Sequence, residues 1–144
     1  SLGDITFEAT IATNESDETW AIYTYQNSSV PPILSEQMQA PSLPVGTTFA
    51  QVNVLALTDA NHVGFSASLE GSGVDDSNDK SIWLQNEGSF ELVAREGDHA
   101  PGTSTGSVFT DERFIPTMNS SGQISLIATL EGPRIDSSND QADW

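Results

Sequence analysis

One alternating pattern occurs three times in the chain, and it constrains the fold more than any other feature. ITFEATI (Ile5 to Ile11), VGFSASL (Val63 to Leu69) and ISLIATL (Ile124 to Leu130) each place apolar residues at the first, third, fifth and seventh positions. The central residue is alanine every time: Ala9, Ala67 and Ala128. Successive side chains leave a strand on opposite sides, so period-two alternation marks a strand with one buried face. Three copies of one strand mean that a supersecondary unit is reused, and a repeat architecture is expected.

The match extends beyond the strand. EGSGVDDSNDKSIW (Glu70 to Trp83) and EGPRIDSSNDQADW (Glu131 to Trp144) have the same length, with both tryptophans in register. Trp20 reads as their counterpart in the first copy, reached through a loop five residues shorter. Downstream, SFELVAREGDHAPG (Ser89 to Gly102) aligns with PPILSEQMQAPS (Pro31 to Ser42), setting Glu36 opposite Glu96 and Ala40-Pro41 opposite Ala100-Pro101. Phe49 and Phe109 then precede the next alternating strands, at Val63 and Ile124, by nearly equal intervals. The period is about 60 residues by every one of these landmarks. It divides the chain into repeat 1 (1–58), repeat 2 (59–118) and a partial repeat 3 (119–144).

Each repeat reads as four short antiparallel strands separated by Gly, Pro, Asn, Asp and Ser clusters. Strands are predicted at 5–11, 63–69 and 124–130, at 19–25, 81–85 and 142–144, at 30–35 and 89–95, and at 49–57 and 108–118. No window sustains a capped 3.6-residue stripe, so helix should be nearly absent. The predicted fold class is all-β, a tandem of four-stranded antiparallel blade-like repeats of propeller type. A closed propeller takes roughly 4 to 8 blades, and two full repeats with part of a third do not close one. The expectation is that the chain was cut from a longer one, or that other copies complete it by pairing with open strand edges.

Charge narrows the partners. Twenty-one Asp and Glu stand against four Lys and Arg, a net charge of −17. Nucleic acid and anionic membrane surfaces both require a basic patch, so neither is an expected partner, whereas an acidic surface favours cations such as Ca²⁺. No apolar run approaches the roughly 18 residues of a membrane span, and no leader precedes Ser1, so neither a span nor a signal peptide is expected. Zero cysteines remove disulfides and thiolate chemistry.

Two acidic loops are the first candidate site: Asp75, Asp76, Asn78 and Asp79 in one, and Asp136, Asn139 and Asp140 in the other. Ca²⁺ takes six to eight oxygen ligands, and closely spaced Asp and Asn in a turn can converge on one ion, although the spacing here matches no EF-hand. The competing explanation is that these side chains bond their own backbone and build tight turns. The cluster Arg95-Glu96-Gly97-Asp98-His99 is where acid–base chemistry would be sought. Its repeat-1 counterpart, Ser35 to Gln39, lacks the arginine, the aspartate and the histidine, which favours an ion pair between Arg95 and a carboxylate of a neighbouring unit. Trp20 and Trp83 read as core, whereas Tyr23, Tyr25 and Trp144 are candidates for a partner or ligand surface.

The stretch FIPTMNSSGQISLIATL (Phe114 to Leu130) resembles the TolB-type blade signature. Together, NSSGQISLIATLEG, SNDKSIW and LVAREGDHAPG resemble a family of tandem-repeat proteins found in secreted bacterial chains, often ending in "choice-of-anchor" sorting signals. The resemblance is strong over 59–144 and weak over 12–58. It implies extracellular location, repeat architecture and no established enzymology.

Three functional readings follow. The first is a non-enzymatic extracellular repeat protein that self-assembles, as a homo-oligomer or polymer, through unfinished sheet edges. The second is a Ca²⁺-dependent module binding a glycan or a protein. The third, a propeller-type hydrolase fragment, has least to stand on, because no G-x-S-x-G, H-E-x-x-H or phosphate-cradling loop occurs.

Overall fold

The computed structural model describes residues 5–12, 18–25, 32–57, 62–86 and 88–144. The three alternating segments form β1 (Ile5–Ala12), β5 (Val63–Glu70) and β9 (Ile124–Glu131). Each pairs with the strand that follows it, giving β2 (Glu18–Tyr25), β6 (Lys80–Asn86) and β10 (Gln141–Asp143). β3 (Pro32–Ser35), β4 (Thr48–Leu57), β7 (Ser89–Arg95) and β8 (Val108–Met118) complete the set, with no helix among the described residues. Val30 and Pro31, at the start of the strand expected over 30–35, lie outside the described residues.

The strands form three antiparallel sheets: sheet 1 in the order β1-β2-β3, sheet 2 in the order β4-β5-β6-β7, and sheet 3 in the order β10-β9-β8. The β4 strand, which lies before the 58/59 sequence division, pairs with β5 beyond it, and β8 pairs with β9 in the same way. A sheet therefore begins one strand earlier than the alternating segment that dominates its sequence.

The connections that cross from one sheet to the next share their hydrogen bonds. Between β3 and β4, Gln37 N donates to Phe49 O, Ala40 N to Thr47 O and Phe49 N to Met38 O. Between β7 and β8, Gly97 N donates to Phe109 O, Ala100 N to Ser107 O and Phe109 N to Asp98 O. Gly71 and Gly132 have φ of +125° and +138°, and a Cβ on either would collide with the backbone of Gly46 or Gly106 respectively. Only glycine fits so close an approach of two chain segments.

Two apolar layers result, one for each gap between sheets. In the first, Ile22 and Leu34 of sheet 1 meet Phe65, Ala67, Leu69 and Trp83 of sheet 2. In the second, Ile82 and Ala94 of sheet 2 meet Leu126, Ala128 and Leu130 of sheet 3, with Trp144 packed alongside. Phe49 stands edge-on to Trp83 at 5.1 Å and 76°, and Phe109 to Trp144 at 5.0 Å and 76°. Such edge-to-face pairs contribute about 0.5–1.5 kcal/mol beyond the area they bury.

The register corrects one expectation. Ala9 faces Ala21 and Phe7 faces Tyr23, whereas Ala67 faces Ser81 and Phe65 faces Trp83. The register shift in β2 falls between Ile22 and Tyr23, and that in β6 between Ile82 and Trp83. Tyr23, not Trp20, therefore holds the place of Trp83, and the intervening loop is shorter by two residues rather than five. Trp20 leaves the opposite face of β2 with Ile22 and donates its indole N–H to Ala50 O of sheet 2 at 2.8 Å.

Candidate functional site

The two acidic loops fold alike because their side chains bond their own backbone. Asp75 Oδ1 accepts from Ser77 N at 2.9 Å and Ser77 Oγ at 2.6 Å, and Asn78 Oδ1 accepts from Asp75 N at 3.2 Å. Asp136 Oδ1 accepts from Ser138 N at 2.9 Å and Ser138 Oγ at 2.6 Å, and Asn139 Oδ1 accepts from Asp136 N at 2.8 Å. The Asn side chains close each turn from behind, Nδ2 donating to Gly73 O and to Arg134 O. The serine hydrogen bonds hold the Asp75 and Asp136 carboxyls below the usual carboxylate range.

The loops differ in what braces them. Arg95 donates through Nε to Asn78 O at 2.7 Å and through Nη2 to Asn78 Oδ1 at 2.8 Å. The guanidinium thus ties β7 to a loop of its own sheet, where a planar fork finds two convergent oxygens. Asp79 forms an ion pair with Lys80 at 2.7 Å.

A cleft of about 470 Å³ lies between the loops. Asp76, Glu96, Glu131, Asp136 and Asp140 line it, so carboxylates from sheets 2 and 3 share one opening. Glu96 is buried, with Lys80 N donating to its Oε2 at 3.4 Å. Loop composition singles out Asp76, Asp136 and Asp140 but not Glu131, and it places Glu96 in a separate cluster. No spacing rule links residues on facing sheets. Among the described residues, no group of three or more His, Asp or Glu side chains is already assembled to hold a metal ion.

The Arg95–His99 cluster is dispersed. His99 Nδ1 lies 2.9 Å from Ser107 O. Asp98 lies at the surface, yet partial desolvation of its carboxyl raises its pKa against the opposing pull of Arg95. Desolvation and a nearby cation act in opposite directions on a carboxylate, and here desolvation wins.

The aromatic candidates are half-buried. Tyr23 stacks on Phe7 with ring centroids 5.6 Å apart and planes at 20°, and Phe7 is 40% exposed. Trp83 stacks on Phe65 in the same way, at 6.5 Å and 10°, but is fully buried. Trp144 donates its indole N–H to Pro101 O at 3.0 Å and packs on Phe109. Tyr25 lies on the same face of β2 as Tyr23 and is half-buried. Phe7 does not stand out in the sequence, because alternation marks a face as apolar without saying what covers it.

No curated protein and no solved structure matches the chain. A family described as a family of unknown function (DUF7453) matches residues 1–144. The chain belongs to the DUF7453 family.

Proposed function

We propose that the chain is a non-enzymatic, extracellular structural and interaction module, built from tandem blade-like repeats that stack through one recurring face contact. The observation that carries this reading is the correspondence between the two apolar layers. Ile22, Leu34, Ala40 and Phe49 in the first stand where Ile82, Ala94, Ala100 and Phe109 stand in the second, all four at one common sequence offset. Ala67 and Leu69 likewise correspond to Ala128 and Leu130, at an offset longer by a single position. An extracellular setting rests on the resemblance to secreted bacterial repeat chains. A propeller-type hydrolase is the weakest of the three readings, since the Arg95–His99 side chains engage separate backbone partners.

The experiment is a matched pair of core truncations. Ile22→Ala and Ile82→Ala should each lower stability in urea by about 2–5 kcal/mol, the range for deleting a buried isoleucine to alanine. If Ile22→Ala has no effect while Ile82→Ala unfolds the chain, the two contacts are not equivalent and the stacking reading is lost.

A second reading, Ca²⁺-dependent binding of a glycan or protein, is favoured by the five carboxylates around the inter-sheet cleft. Packing them together without a cation is unfavourable, and an ion bound only by the folded chain would stabilise it. Millimolar Ca²⁺ should then raise the melting temperature above that in Na⁺ at equal ionic strength, and Asp136→Asn with Asp140→Asn should remove the increment. An unchanged melting temperature in Ca²⁺ and in EDTA ends that reading.

A further inference from the structure

The seam between sheets 1 and 2 opens beside Trp20 into a cleft of about 460 Å³. Thr10, Thr19, Trp20 and Glu36 line it from sheet 1 and the turn that follows, and Gln51 and Asn53 line it from β4 of sheet 2. Small-molecule sites have volumes of roughly 300–1,000 Å³, so the cleft is large enough to hold one. Trp20 is half-buried, and its N–H bond to Ala50 O fixes the indole against the edge of sheet 2. Gln51 and Asn53 are exposed.

Packing of one sheet on the next does not require this set of side chains. Glu36 N donates to Trp20 O as Glu96 N donates to Lys80 O, so Trp20 and Lys80 hold the same place in successive repeats. Thr19 and Trp20 therefore stand where Asp79 and Lys80 form an ion pair. Asn53, opposite Ser66, stands where Ile115 lies opposite Ile127. The seam between sheets 2 and 3 closes with neither an indole nor an amide at these two places, so their presence in the first seam calls for another explanation.

We infer that the Trp20 cleft binds a unit of a neutral glycan, without a metal ion. A sugar ring sets C–H groups against an aromatic surface while its hydroxyls both donate and accept hydrogen bonds. The indole supplies the apolar surface, the two amides and two threonine hydroxyls can donate and accept, and the Glu36 carboxylate accepts. Among the described residues lining the cleft none is cationic, and a net charge of −17 repels anionic sugars, so the class is neutral. The inference adds a ligand to the stacking reading and rests on it, because the cleft exists only while sheet 1 lies against sheet 2. It is independent of the acidic cleft and of Ca²⁺.

Cellohexaose, maltohexaose and mannohexaose, each titrated to about 10 mM in EDTA, test this by NMR of the indole N–H signals. At least one should shift the Trp20 signal saturably and leave that of the fully buried Trp83 unmoved. Gln51→Ala with Asn53→Ala should weaken that binding at least about tenfold at an unchanged melting temperature, since both side chains are exposed. Trp20→Lys, read at the Asn53 backbone N–H, should abolish it. Asp136→Asn with Asp140→Asn should bind as the parent does. An unmoved Trp20 signal with all three sugars overturns the inference, as does full binding by the Gln51/Asn53 double variant or binding that appears only when Ca²⁺ replaces EDTA. Failure of the stack itself would look different: the Trp20 indole proton would exchange at the unprotected rate before any sugar is added, whereas failure of this inference alone leaves it protected.

Discussion

Phe65 with Trp83 and Phe7 with Tyr23 are the same aromatic pair in the same strand register, and they meet opposite fates. On sheet 2 the pair is sealed beneath sheet 1, with Trp83 fully buried, Phe49 edge-on to it and its indole N–H donated to Ser81 Oγ at 2.9 Å. On sheet 1 the pair stacks at a closer 5.6 Å but leaves Phe7 open to solvent. The strand pairing therefore sets the ring stack, and the neighbouring sheet sets its energetic weight. An alternating strand specifies a face, and only its partner turns the face into core.

The comparison can be broken most sharply by truncating both aromatics. Trp83→Ala should cost about 3–5 kcal/mol, the range for emptying a buried aromatic site. Tyr23→Ala should cost about 1 kcal/mol in the isolated chain, where part of the ring already faces water. Urea midpoints at equal protein concentration read both, and equal losses would mean that sheet 1 is covered in solution.

A smaller effect separates the two acidic loops. Arg95→Met should destabilise by about 1.5–3 kcal/mol, the value of hydrogen bonds from a charged donor, and should loosen the 71–79 loop. Amide exchange of Ser77 and Asn78 should quicken while that of Ser138 and Asn139 does not, because Arg95 braces only the first loop among the described residues. Equal acceleration of both loops would show that the brace acts through the cleft rather than locally.

The smallest effect is on pH dependence, and its sign differs between sites. Asp75 and Asp136 are held low by their serine hydrogen bonds, so their contribution is present above the usual carboxylate value and is lost as pH falls through their lowered values. Asp98 is raised by desolvation, so its contribution is present at acid pH and is lost as pH rises through its raised value. Asp98→Asn should therefore flatten stability on the neutral side, and paired Ser77→Ala and Ser138→Ala should weaken the dependence on the acid side. Stability curves against pH that superimpose for all variants would show that these hydrogen bonds and this desolvation do not persist in solution.

Much of the fold is legible in the sequence because its causes are local. Alternation places β1, β5 and β9, and the Gly/Asn/Asp clusters place the turns between strands. Tyr23 is harder to place, because a tryptophan is a louder signal than an alanine: matching Trp20 to Trp83 passes over Ala9 opposite Ala21, which fixes the count. The acidic cleft is legible only by halves. Asp136 and Asp140 lie in one sequence loop, but Asp76 and Glu96 reach them through the packing of sheet 2 on sheet 3. Arg95 reads from sequence as a tether, but its Asn78 partner does not, since the paired oxygens of Asn78 come together only after the loop has turned.

The stacked arrangement is tested most directly by hydrogen exchange of the three indole N–H groups. Trp20 donates to Ala50 across sheets 1 and 2, Trp83 to Ser81 within the core, and Trp144 to Pro101 in the connection between sheets 2 and 3. Trp83 should exchange slowest, with Trp20 and Trp144 both well below the rate of an unprotected indole. Exchange of Trp20 at the unprotected rate, with Trp83 still slow, would mean that sheet 1 does not dock on sheet 2 and would contradict the stack.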